Sequence, residues 1–280
     1  MRPSVAKRPA KRRRWPLVVL VCLLAVGAVG VGLRVAASYV ASGPAKPSPS
    51  CTVVMSTGRL RLDLAQAANA ATIAAVGKRM GLVDHAVTVA LVAALQESKL
   101  HNLDSGDLDS VGLFQQRPSQ GWGSPSELIV PTFAAEAFYK ALMRVPGWET
   151  MAVGDAAQRV QRSAAPDAYG PWENQGRSLA QALTGETAAG LTCRFDLPSP
   201  AATPVSATSL NDAVAGELGS PALGVAVPEQ RGWTVAAWLV AHAFDQRITA
   251  VTYLGQRWTP ATGVWQPQGP AVDQVQITRG

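Results

Sequence analysis

Residues 84–115 read DHAVTVALVAALQESKLHNLDSGDLDSVGLFQ. Asp84 can cap a helix. Behind it, Ala86, Val89, Ala90, Ala93 and Ala94 recur at spacings of three and four, which predicts a helix with an apolar stripe. Glu97 falls on the same stripe, one turn beyond small residues that leave room above it. A carboxyl placed there loses water, and burial disfavours its anion. That is the condition a general acid working near neutral pH requires. Periodicity alone also admits a glutamate at a fraying helix end, pairing with Lys99 or His101. A loop with three aspartates follows, and then Gly112-Leu113-Phe114-Gln115. These four residues supply a glycine for close backbone approach, two apolar side chains for a core, and an amide that both donates and accepts.

Helical character spreads outward over residues 60–184. LDLAQAANAATIAAVGKRMG is Ala-rich and stops at Gly81, a natural C-terminal cap. Ser124-Pro125-Ser126-Glu127 opens a further helical region. PTFAAEAFYKALMRV starts on Pro131, and GDAAQRVQRS and PDAYGPWENQGRSLAQALTG follow. No alternating strand pattern is read in this region. Of three cysteines, Cys51 and Cys193 bracket the whole stretch. In an oxidising compartment they are natural disulfide partners, and closing a loop of about 140 residues would stabilise by up to about 4–5 kcal/mol in the chain-entropy model. The competing reading is two unrelated thiols. Residues 52–193 are therefore expected to be one compact helical domain.

The formal net charge is +6, but Arg2, Lys7, Arg8, Lys11, Arg12, Arg13 and Arg14 all lie in the first 14 residues. The rest of the chain carries −1 (+6 less 7), so the basic balance belongs to a tail and gives no support to nucleic-acid binding. Pro16–Leu33 carries no charge, about the minimum length for a spanning helix, and the basic cluster before it places the N-terminus inside. This predicts a cytoplasmic tail at 1–15 and a single membrane anchor at 16–40, with the body extracytoplasmic. Cys22 lies in that apolar span. A signal peptide cut near Ala36–Ser38 or Ala41–Gly43 is the alternative, and it exports the body equally. Residues 41–51 form a Pro/Ser linker, and residues 194–208 form a second.

Residues 209–280 change character. GWTVAAWLVAHAFDQ reads as a helix, ITAVTYL as a short strand, and QRWTPATGVWQPQ as an aromatic, turn-rich stretch. A small α+β module is expected, with Trp233, Trp238, Trp258 and Trp265 serving a core or a wall-binding face. The three histidines (His85, His101, His242) show no metal-ligand spacing, and there is no glycine-rich phosphate loop, so neither metal nor other cofactor is expected. Asp104, Asp107 and Asp109 miss the alternate spacing and final glutamate of a calcium loop. They are read as a solvated loop or as a source of a second catalytic carboxylate. Ser110 is a backbone-bonding residue with no base beside it.

Glu97-Ser98, a loop of about a dozen residues and then Gly112-Leu113-Phe114-Gln115 resemble the motifs of lytic transglycosylases, peptidoglycan-cleaving enzymes with a lysozyme-like fold. Ala168-Tyr169 matches the start of that family's later Ala-Tyr-Asn motif, and Gly170 stands where the asparagine would be. The resemblance covers roughly residues 60–184. It implies a mainly α, lysozyme-like domain that cuts the β-1,4 bond of peptidoglycan strands, as a lyase or as a muramidase. Glu97 would be the catalytic acid and base, Ser98, Gln115 and Gln116 would contact substrate, and Tyr169 would orient Glu97 or the substrate. Trp122, with Arg117, Gln120 and Trp148, would line a glycan groove or pack the core edge. If the reaction is hydrolysis, Asp104, Asp107 or Asp109 must supply the base. The alternative function is a non-catalytic, membrane-anchored wall-binding or scaffold protein. The stretch 233–258 faintly resembles D-alanyl peptidase-like domains but lacks their upstream His and Asp ligands.

Overall fold

In the computed structural model, the described residues are 48–56, 58–163, 165–197, 207–219 and 223–280, together with Arg34. The expected tail and anchor therefore lie outside the described residues, as do most of both linkers. No described helix is long and apolar enough to cross a membrane.

The architecture is mixed α+β, which corrects the mainly α expectation. Among the described residues there are eight α-helices and two antiparallel sheets. The first sheet has the order β2-β1-β3, formed by β1 (Ser50–Met55), β2 (Gly58–Leu62) and β3 (Leu191–Arg194). β1 and β2 make a tight hairpin with Met55 opposite Gly58 and Cys51 opposite Leu62. Strands this short leave too few alternating residues to stand out beside the alanine-rich helix that follows. In the β1–β3 ladder Cys51 lies opposite Cys193, and the two form a disulfide.

Helix α1 (Leu64–Arg79) begins at a reciprocal cap: the Gln66 N–H donates to Asp63 Oδ1 at 2.8 Å and the Asp63 N–H donates to Gln66 Oε1 at 2.9 Å. Helix α2 (Asp84–Ser98) is the centre of the molecule. Every residue from Ala86 to Leu95 is buried. The expected stripe is therefore too narrow a description; a helix apolar on all sides is enclosed on all sides. It is packed by α1, by α4 (Pro131–Leu142), by α5 (Val153–Gln161) and most closely by α6 (Glu173–Leu183). Gly176 permits that closest approach, because a Cβ there would collide with Val92. The four-residue α3 (Pro125–Leu128) is capped by Ser124 and Glu127 in the same reciprocal way as α1.

The C-terminal segment is built on these elements. Leu210, Val214 and Leu218 of α7 (Ala207–Leu218) are buried at fourfold spacing, and α7 packs on α1. Helix α8 (Glu229–Ala241) packs on α1, β3 and β4. The second sheet has the order β6-β5-β4-β7, with β4 at Ile248–Tyr253, β5 at Gln256–Thr259, β6 at Val264–Pro267 and β7 at Gln276–Arg279. Trp258 Nε1 donates to the Cys193 carbonyl and Trp265 Nε1 to the Leu191 carbonyl, both at 3.0 Å. These two bonds tie the second sheet to β3. Trp233, Trp238 and Trp258 are core residues and Trp265 is half-buried, so they stabilise the body by apolar burial, about 25 cal/mol per Å2 removed from water.

Candidate functional site

Glu97 sits in the last turn of α2, half-buried. The helix stops immediately beyond it in an unusual way. Lys99 and Leu100, neither a glycine, take left-handed backbone with φ of 56° and 65°. The Leu100 N–H reaches back to the Ala94 carbonyl at 3.2 Å, closing the helix end. Left-handed backbone costs an ordinary L-residue roughly 1–2 kcal/mol. The burial of Leu100 in the core holds the turn in place.

One side chain is committed to the Glu97 carboxylate. The buried Tyr169 donates its hydroxyl to Glu97 Oε1 at 2.5 Å. Burial, and next the bond to Glu97, push the phenol pKa well above its ordinary value. Tyr169 is therefore a permanent hydrogen donor. It is carried by a short 3-10 segment, Pro166–Ala168, that runs into the N-terminus of α6. Trp172 joins the same corner by donating Nε1 to Gln96 Oε1 at 2.7 Å. The Lys99 ammonium lies 4.2 Å from the centre of the Trp172 ring. Burial lowers the Lys99 pKa, and the Glu97 charge opposes that shift.

The Gly112–Gln115 segment is a tight turn closed by a two-way backbone bridge between Val111 and Gln116. Gly112 has φ +80°, and a Cβ there would run into the Leu128 carbonyl, so the turn requires glycine. Leu113 and Phe114 are fully buried, and Phe114 stacks on Phe138 with ring centres 4.7 Å apart. Gln115 is half-buried and bonds the Gly112 carbonyl through Nε2 at 3.1 Å.

Two expected substrate contacts prove to be supports. Ser98 is buried and donates to the Leu113 carbonyl at 2.7 Å. Gln116 is buried and donates to the Ala134 carbonyl at 3.3 Å. Both face inward: Ser98 supplies a donor to a carbonyl of the buried turn, and Gln116 ties that turn to the first turn of α4. Trp148 likewise leaves the proposed groove: it is buried and stacks on His85.

The three loop aspartates are engaged elsewhere. Asp107 pairs with Arg117 at 2.7 Å, and Arg117 also bonds Ser110. Asp109 accepts from the Ser119 N–H at 2.8 Å and from its hydroxyl at 3.0 Å. The bond from the Ser119 N–H holds the Asp109 carboxyl below the usual range. Asp104 is exposed and accepts from Ser105. The contacts of Asp107, Asp109 and Ser110 pin residues 107–110 onto 117–119, and none of these bonds reaches Glu97.

The wide cleft in this region is lined by Gln120, Trp122, Arg144, Arg159, Gln161 and Arg162 and holds about 450 Å3. Trp122 is half-buried at its wall. Gln161 Nε2 donates to the Phe114 carbonyl at 2.8 Å, so the cleft wall and the turn beside Glu97 share a strut. Sequence reading singled out Trp122 and Gln120 here and missed the arginines. The available signal was the spacing of three between Arg159 and Arg162 near the end of a short helix. Gln96 and Trp172 were missed as partners at the Glu97 corner, where nothing in local spacing links them.

Comparison with protein-family models and with curated proteins returned no match to this chain.

Proposed function

We propose that the chain cleaves the β-1,4 glycosidic bonds of peptidoglycan strands by lytic transglycosylation, with Glu97 as the single acid and base. The observation that carries this reading is the Tyr169 hydroxyl on Glu97 Oε1, at the mouth of a half-buried helix end. Tyr169 fixes one carboxyl oxygen. The second makes no hydrogen bond among the described residues and is available to a substrate oxygen. The carboxylic acid protonates the glycosidic oxygen as the bond from C1 of the muramyl residue breaks. The carboxylate then takes the proton of the same residue's C6 hydroxyl, and O6 closes on C1 to give the 1,6-anhydro ring. The proton balance returns Glu97 to its starting state.

A hydrolase would use a second carboxylate. The engagement of Asp107 and Asp109 with Arg117 and Ser119 favours the intramolecular route. The Cys51–Cys193 disulfide fits an oxidising, extracytoplasmic setting, where this polymer lies, and residues 16–40 would anchor the body to the membrane there. A second reading, a non-catalytic wall binder, draws on Gly170, where the resembled motif has asparagine.

The test is digestion of purified peptidoglycan by the full chain and by Glu97→Gln, with products read by mass. Anhydro-muropeptides from the wild type alone are expected. Reducing muramyl ends would replace the lyase with a hydrolase. Binding to the wall without products from either protein would leave the wall-binder reading.

A further inference from the structure

We infer that the cleft between Trp122, Arg144, Arg159 and Arg162 is a carboxylate-binding subsite that receives the peptide branch of the glycan substrate. The identity of the polymer rests on the function proposed above; the anionic character of the ligand does not. Three guanidinium groups line the cleft and no acidic residue does. Arg144, Arg159 and Arg162 are all exposed, and none forms an ion pair or side-chain hydrogen bond among the described residues. The neighbouring depression of about 260 Å3, which shares Trp122 and Arg144, behaves differently. Its own cation, Lys140, is already paired with Glu136 at 2.6 Å. Arg159 and Arg162, the two further unpaired guanidinium groups, belong to the larger lobe alone.

The backbone is arranged around that charge. Arg162 follows the last residue of α5 in left-handed conformation at φ 52°, with its N–H on the Gln158 carbonyl at 2.7 Å. Glycine or asparagine is the usual occupant of such a position, so an arginine here retains strain without a structural partner to account for it.

The cleft wall is also braced against the turn that packs beside the end of the Glu97 helix. Arg162 stands six residues before Ala168-Tyr169, whose phenol donates to Glu97, and the Ser163 hydroxyl between them accepts from the Ala165 N–H at 3.2 Å. Gln161, on the other side of Arg162, holds the Phe114 carbonyl, and Ser98 holds the adjacent Leu113 carbonyl. On this assignment a polymer seated at Glu97 extends toward the arginines. The muramyl unit carries a lactyl ether that continues into a peptide with several carboxylates. Guanidinium forks match carboxylates in pairs of parallel hydrogen bonds, and an indole face suits the aliphatic parts of such a branch.

The test measures binding with cleavage switched off. Full-length Glu97→Gln, with and without Arg144→Gln, Arg159→Gln and Arg162→Gln together, is titrated with a muramyl disaccharide bearing its peptide, with the same disaccharide stripped of peptide, and with oligo(glycerol phosphate). Exposed charge pairs of this kind give a loss of about 10- to 100-fold for three contacts. That loss is expected for the peptide-bearing ligand, with the stripped disaccharide unchanged and the circular dichroism spectrum intact. Equal loss for both saccharides, or no loss for either, overturns the subsite. Arginine-dependent binding of oligo(glycerol phosphate) tighter than that of the peptide-bearing saccharide overturns its assignment to peptide carboxylates. If the wild type releases no products yet the selective loss is seen, the subsite stands and the glycosidase reading falls.

Discussion

Replacing Tyr169 by phenylalanine removes one oxygen and leaves the buried ring. The bond lost is that from a neutral phenol to Glu97 Oε1 at 2.5 Å. A hydrogen bond to a charged group contributes about 1.5–3 kcal/mol. At roughly 1.36 kcal/mol per tenfold change, that is about 10- to 150-fold in rate if the whole bond is expressed in the transition state. It should be so expressed, because a donor binds a carboxylate more strongly than a carboxylic acid, and the bond strengthens as Glu97 gives up its proton. The expected result for Tyr169→Phe is a fall in kcat of about this size for anhydro-muropeptide release, with KM little changed. Stability should fall by only about 0.5–1.5 kcal/mol in urea unfolding, since the half-buried Glu97 can take water in place of the phenol. A wild-type rate would refute the argument that Tyr169 prepares the acid. A drop in activity matched by a stability loss well above this would show that the hydroxyl holds the fold and not the reaction.

Other expectations follow from the same geometry. Replacing Cys51 and Cys193 by serine opens a loop with a sequence separation of 142 and should lower unfolding stability by about 5 kcal/mol, read from urea midpoints; an unchanged midpoint would deny that the bridge constrains the unfolded chain. His242 is pushed down to about 4 by burial, against about 6.5 in the unfolded chain. The unfolded state therefore takes the proton first, and the fold's advantage, complete above pH 6.5, is lost as pH falls from there through about 4. At about 1.36 kcal/mol per pH unit this amounts to about 3 kcal/mol, offset in part by Glu217, which lies 3.8 Å from His242 and whose pKa burial raises. The melting temperature of the wild type should drop more steeply between pH 7 and pH 5 than that of His242→Gln; parallel curves would clear His242 of the effect. Arg162→Gly relieves left-handed backbone and should stabilise by about 1 kcal/mol in thermal melts, while weakening the peptide-bearing saccharide; a destabilised variant would mean that the arginine side chain holds the helix end.

Two helix starts are legible in the sequence because their signals are local, whereas Asp84 is the first residue of its helix and not its cap. Ser124-Pro125-Ser126-Glu127 and Pro131 announce starts that the structure places at Pro125 and Pro131. The pairing of Cys51 with Cys193 is legible because only those two cysteines flank the helical stretch. The strands are hidden for a physical reason: Ser50–Met55 and Gly58–Leu62 gain their stability from each other and from Leu191–Arg194, more than a hundred residues away. The inward turn of Ser98 and Gln116 is hidden likewise. Their side chains answer to the carbonyls of Leu113, in the buried turn, and of Ala134, in helix α4, which come within reach only once the turn packs. The cationic cleft draws Trp122, Arg144 and Arg159 from three separate segments, so no window of sequence contains it.

Backbone strain gathers where these hidden contacts converge. Of the eight described non-glycine residues with positive φ, Lys99, Leu100 and Leu108 follow Glu97 within eleven positions, Gln115 ends the adjacent turn, and Arg162 borders the cleft. Four of these five are held by something specific nearby: the Ala94 carbonyl for the helix end at Lys99 and Leu100, the Val111–Gln116 bridge for the turn, the Gln158 carbonyl for Arg162. A chain selected only to fold would place glycine or asparagine at several of these positions and recover roughly a kilocalorie per mole at each. Leucines stand at two of them, one buried in the core and one exposed, and lysine, glutamine and arginine stand at the other three. Glycine would forfeit the core packing of Leu100 and the polar side chains of Lys99, Gln115 and Arg162, and the strain is retained for those side chains.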